Sequence, residues 1–192
     1  MKKLKYFILL LLSPLLVAFY EPEEVMFGPP SYPKISSYWK ITPIVKVCKV
    51  LPISNSRVEK ALDYWRRLGY TFEEVIYNDE SMSCAGRPLY GEIIITIPGQ
   101  KFNYDNIALT RRFANKEMNM ILYAEVHMQA KYITKERVLE HEIGHALGWD
   151  HTARRYHMMH RTWEAGGHDS TGLKNERYKE LSEELSEESV TE

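Results

Sequence analysis

The stretch His141-Glu142-Ile143-Gly144-His145-Ala146-Leu147-Gly148-Trp149-Asp150-His151 constrains this chain more than any other, because it fits H-E-x-x-H-x-x-G-x-x-H at every fixed position. Residues four apart on a helix lie one above the other, so His141 and His145 present two imidazoles to one ion. Glu142 is rotated about a third of a turn from His141 and reaches a water on that ion without being a ligand. Gly148 ends the helix, since a residue without a Cβ tolerates the positive φ that reverses the chain. That reversal brings His151 back as a third ligand. Three neutral nitrogens suit zinc and leave a fourth position for water, the arrangement of a catalytic rather than a structural site. Zinc lowers the pKa of bound water towards about 7, and a nearby carboxylate can carry its proton to a leaving amine.

The motif needs a helix in a domain with strands to pack against, and the remaining sequence supplies both. Residues 41–50 are rich in β-branched side chains, with Ile44, Val45, Val47 and Val50, and read as a strand despite Pro43. Ser56-Arg57-Val58-Glu59 has the form of a capping box, and Val58, Leu62, Trp65 and Leu68 follow at helical spacing until Gly69. Residues 71–77 and 92–97 read as further strands, residues 106–112 as a polar edge strand, and residues 118–128 as a fifth strand. Thr134 offers an N-cap for the helix that carries the motif. Residues 152–168 are irregular, and a last helix is expected from about Gly172.

Composition sets the limits. At 192 residues, with 44% of them hydrophobic, the chain has apolar material for one domain of ordinary size. Lysine plus arginine number 25 against 26 acidic residues, a formal charge of −1 that predicts no attraction to nucleic acid. Residues 1–20 read as a secretory signal peptide: Lys2, Lys3 and Lys5 precede an apolar run over residues 6–20, short of the roughly twenty residues a spanning helix needs. The Leu16-Val17-Ala18 stretch is a poor cleavage site, so an uncleaved membrane anchor is the alternative. Residues 21–38, with four prolines, read as a linker or N-terminal segment, 39–188 as the catalytic domain and 189–192 as a tail. Cys48 and Cys84, the only cysteines, either pair in an oxidising compartment or stay as thiols in a reducing one.

The wording HEIGHALGWDH resembles the metzincin clan of zinc endopeptidases, and most closely the matrixins. The resemblance is strong over residues 140–152 and weaker to His160. It implies an α+β zincin fold: a twisted, mostly parallel five-stranded sheet with an antiparallel edge strand, an active-site helix and a C-terminal helix. It implies zinc on His141, His145 and His151, Glu142 as general base, and protein or peptide substrates laid along the edge strand at residues 106–112. Metzincins place a methionine turn beneath the metal. Within His157-Met158-Met159-His160, Met159 matches matrixin spacing best, with Met158 the alternative. Two features depart from matrixins: no propeptide motif with a zinc-blocking cysteine is found ahead of Trp39, and Thr152 stands where serine is usual. Aspartate-rich calcium loops are not evident.

Other residues attract blander readings. His157, His160 and His168 are expected to be exposed or to line the cleft wall rather than to bind a second metal, and His127 to be an ordinary sheet residue. Arg111-Arg112 and Arg154-Arg155 read as solvated charge. The rival to an enzyme is a zinc-containing binding or structural surface protein without significant proteolysis; the presence of Glu142 argues against it.

Overall fold

The computed structural model describes residues 32–176. The expected signal segment and the C-terminal tail lie outside these residues, as does the expected last helix beyond Glu176. Strand β1 (Tyr38–Trp39) is followed by β2 (Ile44–Cys48), helix α1 (Asn55–Arg66), β3 (Val75–Asp79), β4 (Glu92–Thr96), β5 (Ala108–Asn115) and β6 (Met120–Met128). A short 3-10 turn at Ala130–Tyr132 leads to α2 (Val138–Ala146). The sheet is therefore six-stranded rather than five-stranded, because Tyr38 and Trp39 pair in parallel with Met120 and Ile121. β6, β4, β2 and β3 run parallel in that order, and β5 lies antiparallel along the outer side of β6. This is the mostly parallel α+β architecture with an antiparallel edge strand that the motif's resemblance implied.

Ile93, Ile94 and Ile95 of β4 are all buried, as expected of a central parallel strand covered on both faces. On one face α1 buries Val58, Ala61, Leu62 and Trp65, the i, i+3, i+4, i+7 stripe of an amphipathic helix. On the other face the buried Glu92 meets Lys46 Nζ at 2.6 Å and accepts from Ser83 Oγ at 2.6 Å. The loop carrying Ser83 is tied to β2 by a disulfide between Cys48 and Cys84.

Several boundaries shift for identifiable reasons. Ser54, not Ser56, caps α1, its Oγ accepting from Arg57 N at 3.2 Å. The expected capping box does not form, because Ser56 lies inside α1, and Glu59 is instead held by Arg66 at 2.7 Å and by the Tyr77 hydroxyl. β5 runs on to Asn115, whose Oδ1 accepts from Glu117 N at 3.0 Å and so places the hairpin turn at residues 116–119. α2 starts at Val138 rather than after Thr134, with Arg137 at the cap in a left-handed conformation. Residues 173–175 are not helical: Leu173 is buried, and Asn175 N donates to Leu68 O at 2.9 Å at the end of α1.

α2 is nine residues long, too short to hold its shape alone. It is pinned to α1. The Trp65 indole N–H donates to the Glu140 carbonyl at 2.8 Å, and Arg57 grips the Glu140 carboxylate with Nη1 at 2.9 Å and Nη2 at 2.6 Å. Both side chains of this ion pair are largely buried. Arg57→Ala strands the Glu140 charge and is expected to cost about 3–5 kcal/mol in urea denaturation, whereas the double change Arg57→Met with Glu140→Leu should cost far less. Equal losses in the two proteins would contradict this account.

Candidate metal centre

His141 and His145 project from the same face of α2, one turn apart, with ring centroids at 4.7 Å. Beyond α2 the chain reverses at Gly148, whose φ is +109°. A Cβ there would strike the carbonyl oxygen of Ser37, so both the conformation and the close approach require glycine. Residues 34–37 hold the reversal as a strap: Ser36 N donates to Gly148 O at 3.0 Å, and Asp150 N to Lys34 O at 2.9 Å. The turn delivers His151 to the other two rings. The three Nε2 atoms stand 3.1 Å (His141 to His145), 3.0 Å (His145 to His151) and 3.2 Å (His141 to His151) apart.

Hydrogen bonds on the far side of two rings determine what these nitrogens carry. His141 Nδ1 lies 2.8 Å from the Met158 carbonyl and His145 Nδ1 lies 2.7 Å from the Trp149 carbonyl. A carbonyl only accepts, so the proton sits on Nδ1 and the Nε2 lone pair points inward. Burial, the largest cause in each case, pushes His141 down to about 4 and His145 down to about 3, and lowers His151 as well. At neutral pH the cluster is thus a triangle of uncharged donors. Three nitrogens around zinc at roughly 2.0–2.1 Å in tetrahedral geometry are about 3.3 Å apart, close to the spacing seen. The residues fit the ion.

Glu142 lies buried beside the triad and lines the same cleft, which encloses about 810 Å³. Its Oε2 accepts a hydrogen bond from the Thr110 hydroxyl at 2.6 Å. Burial raises its pKa to about 7 against the opposing effect of that hydrogen bond. Thr110 went unrecognised in the sequence. It sits on β5 with Arg112, both lining the cleft, and only the register of β5 against β6 and α2 brings it to Glu142.

Arg112 is not simply solvated. It donates to Asp150 Oδ1 at 2.7 Å, where Ser36 Oγ also donates at 3.0 Å, so strand, strap and the residue before His151 are joined. Arg154 pairs likewise with Asp169 at 2.8 Å.

Below the rings, Met159 is fully buried with its sulfur against Gly144, while Met158 contributes the carbonyl that orients His141. His157 was expected to be exposed or on the cleft wall, yet it is fully buried. Its Nδ1 accepts from Met159 N at 3.0 Å and its Nε2 donates to Thr171 O at 3.0 Å, so one neutral imidazole locks the turn. His160 lines the cleft and its ring bonds to Thr162. His168 is exposed, 3.4 Å from Glu136. His127 is a half-buried residue of β6, as expected. Among the described residues only His141, His145 and His151 form a cluster that could hold a metal ion.

A mostly parallel sheet, a histidine pair on a helix, a glycine reversal and a methionine beneath it together define a metzincin-type domain. The matrixin family model matches residues 99–183, from the loop before β5 through α2 and the methionine turn. Over those residues the chain resembles the matrixin-type metzincin catalytic domain, whose family comprises zinc metallopeptidases. No curated protein matches the chain in sequence.

Gly144 is held to its size from two sides, since a Cβ would meet both the Met159 sulfur and Trp65 Cζ2, the latter at 2.6 Å. Gly144→Ala should therefore lower stability by about 1–3 kcal/mol through overpacking, despite alanine's better helix propensity. Thermal and urea denaturation check this; a stabilised protein would show that the contact yields freely.

Proposed function

We propose that the protein is a zinc-dependent endopeptidase in which His141, His145 and His151 hold the metal and Glu142 is the general base. The observation that carries the reading is the triangle of inward-facing Nε2 lone pairs with a buried carboxylate beside it, all opening on one cleft. Zinc bound there supplies Lewis-acid polarisation of the scissile carbonyl and a water made acidic enough to react near neutrality. The chain's own residues do the rest. Glu142 takes a proton from the attacking water as its oxygen bonds to the carbonyl carbon, then gives that proton to the amine nitrogen as the C–N bond breaks. Thr110 holds Oε2, leaving Oε1 for this exchange. The Met158 and Trp149 carbonyls keep the rings from rotating, in the way that outer partners orient metal-bound histidines. Met159 forms the floor beneath α2. The substrate lies extended along β5, whose far side pairs with no strand among the described residues.

The protein acts outside the cytoplasm in this reading, delivered by residues 1–20, either released or held at a membrane by them. The Cys48–Cys84 disulfide supports an oxidising compartment. The catalytic domain is assigned to residues 39–188.

Glu142→Ala is expected to keep stoichiometric zinc by elemental analysis while losing roughly 10²–10⁴-fold in peptide hydrolysis, as removal of a general base should. His151→Ala should lose the metal itself. Undiminished activity in the first protein would refute the base, and undiminished zinc in the second would refute the third ligand. Chelator should abolish wild-type cleavage, and added zinc should restore it.

A further inference from the structure

Three cations lining the cleft have no ion-pair partner among the described residues: Arg161, which is exposed, and Lys135 and Arg137. Lys135 and Arg137 are half-buried there, and neither pairs with a carboxylate among the described residues. Both are held by Trp163 instead: Lys135 Nζ is 3.8 Å from the indole centroid and Arg137 Cζ 4.8 Å. The tryptophan is itself fixed, donating from Nε1 to the Glu136 carbonyl at 2.9 Å and accepting at its own carbonyl from Arg137 Nη2 at 3.3 Å. Tyr132 flanks Lys135 on another side, its centroid 5.4 Å from Nζ. Aromatic faces hold a cation in place but leave most of its N–H donors unused.

Arg137 occupies its position against local preference. A non-glycine residue at φ 67° is strained, a side chain that offers no cap leaves the first turn of α2 unserved, and a positive charge opposes the dipole at a helix N-terminus. Of the carboxylates lining the cleft, Asp105 and Glu164 are exposed, Asp150 pairs with Arg112 and Glu142 bonds to Thr110, and none is in ion-pair reach of Lys135 or Arg137. Partly desolvated positive charges without partners favour an incoming anion more than rim carboxylates repel it.

We propose that Lys135 and Arg137, clamped by Trp163, form a carboxylate-binding subsite of the cleft. The preferred substrate then carries an aspartate or glutamate side chain, or a free C-terminal carboxylate, beside the scissile bond. Arg137 is one helical turn before His141, which places that carboxylate about one to three residues from the cut. The inference deepens the peptidase reading and rests on it.

The test uses the full zinc-loaded chain and matched peptides with Glu, Gln or Ala at each position flanking the cut, each as the free acid and as the amide. Cleavage rates are read on the wild type, and binding by fluorescence anisotropy on the zinc-loaded Glu142→Ala protein. A Glu peptide should exceed its Gln counterpart by about tenfold in both readouts, less at high salt. The preference should fall to about twofold or below in Lys135→Gln with Arg137→Gln, and persist in Arg137→Lys. Lys135→Gln alone should reduce it about threefold, which covers the case in which the double variant does not fold. An advantage confined to the free-acid peptides assigns the subsite to a chain end rather than a side chain. Equal binding of acidic and neutral peptides overturns the proposal, as does a preference unchanged in the variants. Because binding is measured apart from turnover, absence of any cleavage counts against the peptidase reading alone.

Discussion

Three uncharged nitrogens held about 3 Å apart with their lone pairs facing inward repel one another, and the rest of the molecule is arranged to prevent their escape. Rotation of His141 or His145 would break an Nδ1–H bond to a carbonyl that has been brought there for it. Protonation would relieve the repulsion by turning one lone pair into a donor, but burial makes the charged forms of these rings costly. What remains is an electron-rich triangle that a small divalent cation satisfies better than a proton does.

The frame around that triangle is built from contacts far apart in sequence. Trp65 and Arg57 of α1 fix the N-terminal half of α2 through Glu140, while Gly144 lets Trp65 and Met159 approach the helix from two directions. At the other end, Ser36, Arg112 and Asp150 tie the strap, the edge strand and the loop before His151 together. A nine-residue helix gains little from its own hydrogen bonds, so its position is set almost wholly by these outside partners. The precision of the site is therefore a property of the whole domain. The His157 imidazole, bridging Met159 N and Thr171 O, extends the same frame beneath the three histidines.

Legibility in the sequence followed the range of the interactions. The relation of His141, Glu142, His145, Gly148 and His151 is local, set by helix pitch and one glycine, and could be read before any coordinates. Most of the strands were also readable, because short β-branched runs and turn residues mark them, while the sheet's parallel character and its antiparallel edge followed only from the resemblance to the metzincins. A capping box starting at Ser56 matched the local pattern, yet α1 begins two residues earlier with Ser54 as its cap, and Glu59 bonds to Arg66 and Tyr77. Thr134 lost the start of α2 to tertiary contacts that put Arg137 against Trp163. Thr110, Arg112 and the burial of His157 depend on partners 32, 38 and 14 residues away, which no periodicity encodes.

The edge strand shows how function is reconciled with a structural liability. An eight-residue antiparallel edge offers unpaired backbone groups to any passing chain, and proteins commonly blunt such edges with charge, proline or a bulge. The β5–β6 register shifts between Phe113 and Ala114, where Leu122 of β6 is the extra residue, just past the cleft-lining residues Ala108, Leu109, Thr110 and Arg112. A bulge increases the local twist of the pair, so the regular part of the ladder ends where the cleft lining ends. The flat part is confined to the stretch whose inward side chains already serve Glu142 and Asp150. Among the described residues, the stretch of β5 whose outer side pairs with no strand and whose ladder is regular is thus the one that lines the cleft of the three histidines.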